Sequence, residues 1–597
     1  MAFLPDLTER SQSRLVTEIF YGLDRNLKIA DGAWQDERNL TAEHFPLFSQ
    51  RKKRGFVQQF DNPQGMLAKD TLVYIDGRYV YFGGYPVDGI TVSTDDDMQP
   101  KQMVSMGAYA VIFPDKVYFN TKDLTDCGKL DAEFNTLSTD KVTFQLCKLD
   151  GLDLGAGATP SDTEPAEPQN GDFWMDTSNA VHVLKQYSAA SGMWVEIAST
   201  YIRIGCNGIG QLFSEGDGVT ISGISYTGDN VSLKEQLESL NTDNIIQAKG
   251  DDYIVITGLI DQTWTQTGST ITVQRVCPDM DFVTESNNRI WGCKYGISGG
   301  VTVNEIYACK LGDFKNWRCY AGLSTDSYAV SVGTDGKFTG AITHLGYPVF
   351  FKENCLHKIY GNMPSNYQMQ TTMCRGVQEG SEGSLCIVNE ALYYKSRTDV
   401  CAYDGSLPTS VSAPLGTDRY YNAVAGAMGA ILYISMQRES GEWDMYTLDT
   451  NRAIWHREDS THAMCFANVR GDLLYIDADT NQLVSASGQT GDVEGDVEWS
   501  AESGILGYEY PDAKYISRYS IRCKLGVNAT MSMFIEYDSD GIWVHAGTYP
   551  GAAAVRTITV PIIPRRCDHM RLKLTGRGDI KIYSISRVLE GGSDAWA

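Results

Sequence analysis

Short hairpins of aromatic-rich strands recur along this chain, and their recurrence limits what the chain can fold into. Each unit consists of an aromatic strand, a turn and a second strand, and the units follow one another about every 40 residues. The clearest examples lie at residues 288–292, 304–309, 346–351, 391–394, 430–434 and 472–476. Repeats of this length and kind are typical of the blades of a β-propeller. With the earlier hairpins around residues 71–82 and 108–119, the sequence predicts six or seven blades.

Composition supports an all-β chain. Its 597 residues include 58 Gly and 33 Tyr but only 18 Pro, which favours many strands and tight turns. One clear helix is expected, over residues 232–240, where Ser232 and Glu235 have the spacing of a capping box. The predicted fold is an irregular β-propeller with an inserted small domain and a C-terminal β-sandwich.

Shifts in composition divide the chain into five segments. Residues 1–54 lack a clean element and are predicted to form an extended arm, which could wrap a neighbouring subunit. Residues 55–149 and 276–490 are predicted to be the two parts of the propeller. Residues 150–275 begin with a Gly, Ala, Pro and acid-rich stretch and are predicted to be the inserted domain. Residues 491–597 alternate cleanly between apolar and polar side chains, which favours the sandwich.

Signatures of catalysis are missing from the sequence. The chain has eight His, none of them in an H-E-x-x-H motif, and it contains no G-x-S-x-G. No C-x-x-C occurs among the 14 Cys, so zinc ribbons are disfavoured and buried, reduced thiols are expected. The Asp538-Ser539-Asp540 turn suggests calcium only weakly, and a polar hairpin is the preferred interpretation. We therefore predict that the protein is not an enzyme and has no catalytic, cofactor or metal site.

Charge excludes another class of protein. The net charge is −25, which disfavours nucleic-acid binding through a basic surface. Arg51, Lys52, Lys53 and Arg54 form the only basic cluster, here called the basic quartet. A solvated turn is one interpretation of it, and the alternative is a contact between subunits. No signal peptide or transmembrane run is recognised, so no membrane anchor is expected.

One stretch of the sequence resembles a known family. Residues 346–361 contain Gly-Tyr-Pro-Val-Phe-Phe followed by Cys-Leu-His-Lys-Ile-Tyr-Gly, and Arg375-Gly376-Val377 and Asp404-Gly405 come after them. This succession resembles the packaged-DNA stabilisation proteins of tailed bacteriophages, also called tail accessory, hub or nozzle proteins. Residues 38–40 and 51–55 resemble the N-terminal segment of that family. Residues 171–177 are similar to short modules of phage tail proteins.

The resemblance implies a structural virion protein in the tail or neck, made in the cytoplasm of a host bacterium. Such proteins form a ring, typically a hexamer, around the DNA exit channel, where they retain packaged DNA and guide its ejection. Its partners would be other copies of itself, a portal or adaptor ring and a downstream tail protein. Viral DNA would pass through the channel without tight or sequence-specific binding, which an acidic lumen favours.

Three other functions stay open at this stage. The first is a phage tail-tip or receptor-binding protein that contacts cell-surface glycan. The second is a glycan-active enzyme on a propeller, which would need an arginine and carboxylate cluster at the propeller axis. The third is a cellular scaffold.

Overall fold

Strands make up most of the computed structural model, which describes residues 12–94, 100–154, 158–508, 513–552 and 554–591. Within these ranges the chain has 52 strands, one α-helix and three 3-10 turns, so the prediction of an all-β chain is confirmed. The strands form a propeller, a domain inserted between two of its blades, and a sandwich.

The first four strands belong to the sandwich, which the end of the chain completes. They are β1 Gln12–Thr17, β2 Gly22–Leu23, β3 Ala33–Arg38 and β4 Phe48–Ser49. The fifth strand, β5, spans Gly55–Gln59 and crosses to the propeller.

Two propeller blades follow, each an antiparallel sheet of four strands. Blade 1 consists of β6 Pro63–Ala68, β7 Leu72–Asp76, β8 Tyr79–Phe82 and β9 Tyr85–Pro86. Blade 2 consists of β10 Gln102–Met106, β11 Tyr109–Phe113, β12 Val117–Asn120 and β13 Asp123–Lys129.

The inserted domain interrupts the propeller after blade 2. Its strands and helix are β14 Ala132–Asn135, β15 Val142–Cys147, β16 Thr159–Ser161, β17 Phe173–Asp176, β18 Val183–Ser188, β19 Met193–Glu196, β20 Tyr201–Gly205, β21 Gly218–Ser222, α1 Val231–Glu238, β22 Asp243–Gly250, β23 Tyr253–Thr257, β24 Trp264–Gln266 and β25 Thr272–Arg275. β16 to β19 form a small sheet of their own, and the other eight strands form one larger sheet.

Two predictions about this domain need correction. It begins near residue 132 and not at 150, because β14 pairs with β25 and β15 pairs with β20. The helix spans Val231–Glu238, and its N-cap is Asn230, whose side chain accepts a hydrogen bond from the Leu233 amide. Ser232 instead donates to the buried carboxylate of Asp261.

Five further blades complete the propeller. Blade 3 consists of β26 Phe282–Ser286, β27 Arg289–Ser298, β28 Val301–Ala308 and β29 Tyr328–Ser331, and blade 4 consists of β30 Gly340–His344, β31 Tyr347–Lys352, β32 Cys355–Tyr360 and β33 Gln368–Met373. Blade 5 consists of β34 Cys386–Val388, β35 Ala391–Lys395, β36 Val400–Tyr403 and β37 Thr409–Ser410. Blade 6 consists of β38 Tyr420–Met428, β39 Ile431–Arg438, β40 Trp443–Asp449 and β41 Ile454–Asp459. The 3-10 turns are Pro364–Asn366, Glu382–Ser384 and Ala413–Leu415.

Blade 7 closes the ring with a strand from the other end of the chain. It contains β42 Ala463–Val469, β43 Asp472–Asp477 and β44 Gln482–Ser485, and β5 pairs with β44 as the fourth strand. β45, Asp492–Val493, pairs with the opposite edge of β5. The innermost strand of blade 7 packs against that of blade 1, so the propeller has seven blades and is closed. Closure through a shared blade ties the two ends of the repeat together.

Two positions at this closure require glycine, because the segments that contain β5 and β45 approach each other very closely. A Cβ on Gly55 would lie 2.0 Å from the carbonyl oxygen of Thr490, and one on Gly491 would lie 2.1 Å from that of Phe56. Gly491 also has a φ of +82°, which side chains rarely adopt. Any larger residue at either position would push β45 away from β5.

The sandwich is completed by the last seven strands, β46 Glu498–Ser503, β47 Lys514–Leu525, β48 Thr530–Tyr537, β49 Val544–Pro550, β50 Val555–Pro561, β51 Met570–Arg577 and β52 Ile580–Gly591. One sheet has the order β1-β52-β47-β50, with β4 also on β52, and the other has the order β2-β3-β46-β51-β48-β49. Trp34 and Phe48 from the first strands share its core with Trp499.

The predicted arm is therefore corrected for the residues that are described. Residues 12–49 do not extend away from the subunit, because β1, β3 and β4 pair with β52, β46 and β52 of the same chain. Residues 1–11 lie outside the described ranges. The cysteines follow the prediction, since all 14 are free thiols and most are buried.

Candidate functional site

The basic quartet lies at the junction between the sandwich and blade 7, and two of its members are buried inside the subunit. The side chains of Arg51 and Arg54 are only 6% and 10% exposed. Arg54 donates to Glu458 at 2.6 Å and to Asp459 at 2.8 Å, at the end of β41. Arg51 contacts Glu494 at 2.5 Å. We call this set of five charged side chains the clasp.

The clasp changes the acidity of its members. Burial alone would raise the pKa of Asp459, but the guanidinium of Arg54 and hydrogen bonds from Thr461 lower it to about 2. Burial would lower the pKa of Arg54, but Tyr475, Asp459 and Glu458 around it raise it well above its usual value. Both groups are therefore held in their charged forms.

For two of its four residues, the prediction that the basic quartet contacts another subunit is wrong. Arg51 and Arg54 are already occupied within the chain, because they neutralise carboxylates that come about 400 residues later. Lys52 and Lys53 are about half exposed and pair at the surface with Glu43 and Asp496. For these two lysines a contact between subunits stays a prediction.

A cavity of about 790 Å³ lies on the propeller axis, at the end where the innermost strands begin. Six of the seven blades contribute to its wall, and we call it the axial funnel. Its lining includes Asn62, Gln64, Lys101, Gln102, Phe113, Asp281, Phe282, Tyr295, Lys337, Phe338, Thr339, Glu379, Glu382 and Met464. Its size is that of an ordinary ligand pocket.

Aromatic rings on one side of the axial funnel are fixed by a buried cation. The Nζ of Lys352 lies 4.6 Å from the ring centre of Phe338 and 5.2 Å from that of Tyr295. It donates to the Asn304 side chain at 3.0 Å and to the Thr334 carbonyl at 2.7 Å. Burial lowers the pKa of this lysine. Both rings line the cavity wall, where Phe338 is buried and Tyr295 is partly exposed.

Asp281 supplies a carboxylate that is already paired. It accepts hydrogen bonds from the Nζ of Lys294 at 2.6 Å and from the Tyr295 amide at 2.8 Å. Gln102 bridges the neighbouring blade to this point, since it donates to the Asp281 carbonyl at 2.8 Å and accepts from the Val283 amide at 3.0 Å. The position of Asp281 is therefore set by two blades.

Glu382 supplies a carboxyl group of a different kind. It lies at the start of a 3-10 turn, and no cation among the described residues pairs with it. Burial raises the pKa of Glu382, and the nearby charge of Glu379 raises it further. Glu379 itself pairs with Lys337 at 3.0 Å on the exposed rim. Glu382 therefore holds a proton more readily than an ordinary glutamate does.

These groups together can bind a polar ligand with flat apolar faces. Tyr295 offers a partly exposed ring, Asp281 accepts hydrogen bonds, and Glu382 can donate one when protonated. A carboxyl group with a raised pKa is also the kind of group that general acid catalysis uses.

Sequence reasoning missed the axial funnel entirely. Its charged residues are single positions from separate blades, and no two of them form a motif. The only available signal was positional, because several of them directly precede an innermost strand, as Asp281 precedes β26.

The described residues show neither a metal site nor a membrane-spanning helix. No group of three or more His, Cys, Asp or Glu side chains is placed to hold a metal ion. In the same residues, no helix has the length and apolar character needed to cross a membrane.

Comparison with known proteins gives matches in structure only. No family model and no curated protein matches the sequence. An exo-β-1,3-galactanase from Phanerochaete chrysosporium matches with 8% identity and a TM-score of 0.20, over 51% of this chain and 94% of that one. A family 43 arabinoxylan arabinofuranohydrolase from Bacillus subtilis matches with 10% identity and a TM-score of 0.20, over 53% and 95%. PorZ, a type-IX secretion system component of Porphyromonas gingivalis, matches with 11% identity and a TM-score of 0.25, over 84% and 75%.

These matches correct the prediction that the protein is not an enzyme. Glycoside hydrolases are prominent among the similar structures, so the lack of a catalytic motif in the sequence is no ground for excluding catalysis. TM-scores of 0.25 and below transfer no activity, substrate or partner to this chain.

The clasp predicts a large difference between two neighbouring cations. Arg54→Met leaves the buried carboxylates of Glu458 and Asp459 with only the more distant cation of Arg51, 3.9 Å from each. We therefore expect a loss of about 3 kcal/mol in the free energy of unfolding, at the lower end of the cost of breaking a buried pair. Lys53→Met removes only an exposed pair and should cost less than about 1 kcal/mol. Denaturant unfolding followed by circular dichroism measures both, and equal losses would contradict the role of the clasp.

Glu382 predicts a pH-dependent difference in stability. Its pKa is higher in the folded than in the unfolded chain, so its ionisation destabilises the fold as the pH rises above about 4.5. The stability of Glu382→Gln relative to the wild type should therefore increase between about pH 4 and pH 7, which thermal unfolding at several pH values measures. Glu439→Gln, at an exposed turn of blade 6, serves as the control. A relative stability of Glu382→Gln that stays constant or falls would show that the pKa is not raised.

Proposed function

We propose that this protein is a structural component of a tailed-bacteriophage virion, forming a ring around the DNA exit channel that retains packaged DNA and guides its ejection. The resemblance of residues 346–416 to the tail hub and nozzle proteins supports this. In the structure these residues form all of blade 4 after its first strand, and then blade 5. The resembling stretch at residues 51–55 leads from the sandwich into β5.

The distribution of charge is the observation that carries the proposal. Residues 55–497, which form the propeller and the inserted domain, contain 29 Lys and Arg against 56 Asp and Glu, a net charge of −27. Residues 12–54 and 498–591, which form the sandwich, contain 20 against 16, a net charge of +4. A subunit with two regions of opposite charge is suited to contact its neighbours head to tail, and such contacts close into rings.

A ring of such subunits would repel DNA from its acidic parts. The phosphate backbone is attracted to surplus Lys and Arg, and residues 55–497 have the opposite excess. DNA would therefore slide past these surfaces without being retained by them, which suits a channel through which a genome leaves.

The mass of the purified protein in solution, with negative-stain images of the same sample, tests this proposal. We expect a closed ring near six copies with a central channel. We also expect no measurable binding of duplex DNA at about 150 mM salt, because the acidic surfaces repel it. A compact trimer, or a chain that stays monomeric at the highest concentration reached, would count against a ring.

A second candidate function is favoured by the axial funnel: binding of a glycan, as in a receptor-binding tail protein. The partly exposed ring of Tyr295 suits the apolar face of a sugar, and the carboxyl groups of Asp281 and Glu382 suit its hydroxyls.

This second candidate predicts that oligosaccharides bind at the funnel. On a glycan array, wild-type protein should bind at least one oligosaccharide, and Glu382→Gln together with Asp281→Asn should weaken that binding about tenfold or more, as hydrogen bonds to charged groups contribute about 1.5–3 kcal/mol each. Asp540→Asn, in the sandwich, is the control. Release of reducing sugar from any bound glycan should be measured in the same samples, and binding that is unchanged in the funnel variants would exclude the funnel.

A further inference from the structure

One face of the sandwich has five basic side chains, which we call the basic face. They are Arg14 on β1, Arg518, Arg522 and Lys524 on β47, and Lys581 on β52. Strand alternation explains their common direction, because residues 519, 521, 523 and 525 of β47 are buried in the sandwich core while residues 518, 522 and 524 are exposed.

The strand register brings these side chains together. Arg14 and Arg518 both pair with Val588, from opposite sides of β52. Further along the same strands Arg522 pairs with Ser584, and Lys524 lies directly opposite Lys581. The positions between them have small hydroxyl side chains, such as Ser520 and Thr559, so the face is a shallow platform.

None of the five side chains has an ion pair or a side-chain hydrogen bond to a described residue. Other cations of the sandwich do, since Arg571 pairs with Glu536 at 3.0 Å and Lys573 with Glu502 at 2.8 Å. The carboxylate on the same face, Glu590, lies at one end and accepts a hydrogen bond from Tyr515 at 2.6 Å.

This arrangement is unfavourable in an isolated subunit. Like charges directly opposite each other in a sheet, such as Lys524 and Lys581, destabilise the pairing. A face that concentrates cations without an ion pair to any described residue, in a chain of net charge −25, therefore favours an external anionic partner. The platform also ends at β50, an outer strand of its sheet, so a partner can approach from that side.

We propose that the basic face docks on the acidic propeller-and-insertion surface of a second copy of this chain. The charges of the two regions, +4 and −27, are complementary. A contact between different surfaces of identical chains is of the head-to-tail kind, which closes into a ring when the rotations between successive subunits add up to a full turn. A nucleic acid is less suited as the occupant, because the −27 region of the same subunit would repel its phosphates. The inference deepens the proposed ring by naming the surface that holds it together.

The test compares two doubly substituted proteins with the wild type. Arg518→Ser with Arg522→Ser removes two cations from the basic face. Arg397→Ser with Arg419→Ser removes two exposed propeller cations that likewise form no ion pair with a described residue, and serves as the matched control. Mass photometry and sedimentation are run at about 50 and about 500 mM salt, and thermal unfolding checks that all three proteins fold.

We expect the wild type and the control to assemble at the lower salt and to dissociate at the higher salt. The dissociation constant of the basic-face variant should rise about tenfold or more. Assembly of this variant equal to that of the wild type would overturn the inference, and so would a wild type that is monomeric at both salts. Binding of a fluorescent duplex DNA that is lost only in the basic-face variant, with assembly unchanged, would assign the face to a nucleic acid instead.

The outcomes also separate this inference from the proposed ring. A closed ring that forms equally well without Arg518 and Arg522 leaves the ring proposal standing and removes only the basic face. An open, salt-sensitive oligomer that is lost in the variant supports the basic face and contradicts the ring.

Discussion

The ion pairs of Arg54 with Glu458 and Asp459 join parts of the chain that are 400 residues apart, and the rest of the architecture depends on them. Arg54 immediately precedes β5, the strand that closes the propeller, and follows the last sandwich strand of the N-terminal segment. Removing these three charges from water is costly unless they stay paired, so the distances between the three side chains can vary little. Because Arg54 lies between a sandwich strand and a propeller strand, its ion pairs anchor the sandwich and the propeller to each other at this point.

Features that depend on local sequence could be predicted, and those that depend on distant pairing could not. The hairpins around residues 71–82 and 347–360 are local, and both are blade hairpins in the structure. The start of the inserted domain could not be found, because β14 is recognised only through β25, which comes more than 130 residues later. The N-terminal strands had no visible partner for the same reason, since β1 pairs with β52.

The candidate sites show the same limit in chemical terms. A run of four basic residues has the composition of a solvated turn. Only the later acids Glu458, Asp459 and Glu494 make two of the four, Arg51 and Arg54, interior residues. In the axial funnel, single residues such as Asp281 and Glu382 line the same cavity because a propeller brings the starts of its innermost strands to one axis. The alternation of β47 was visible in the sequence, but the sequence did not show that its outward cations form no ion pair with any described residue.

The late completion of blade 7 has a consequence for synthesis on the ribosome. β5 leaves the ribosome before any blade, yet its partner β44 follows more than 400 residues later, and β1 waits still longer for β52. A polypeptide that stops before residue 482 cannot close the propeller, and one that stops before residue 580 leaves the sandwich without its central strand. A truncated chain therefore keeps unpaired strand edges, which can pair with the strands of other chains.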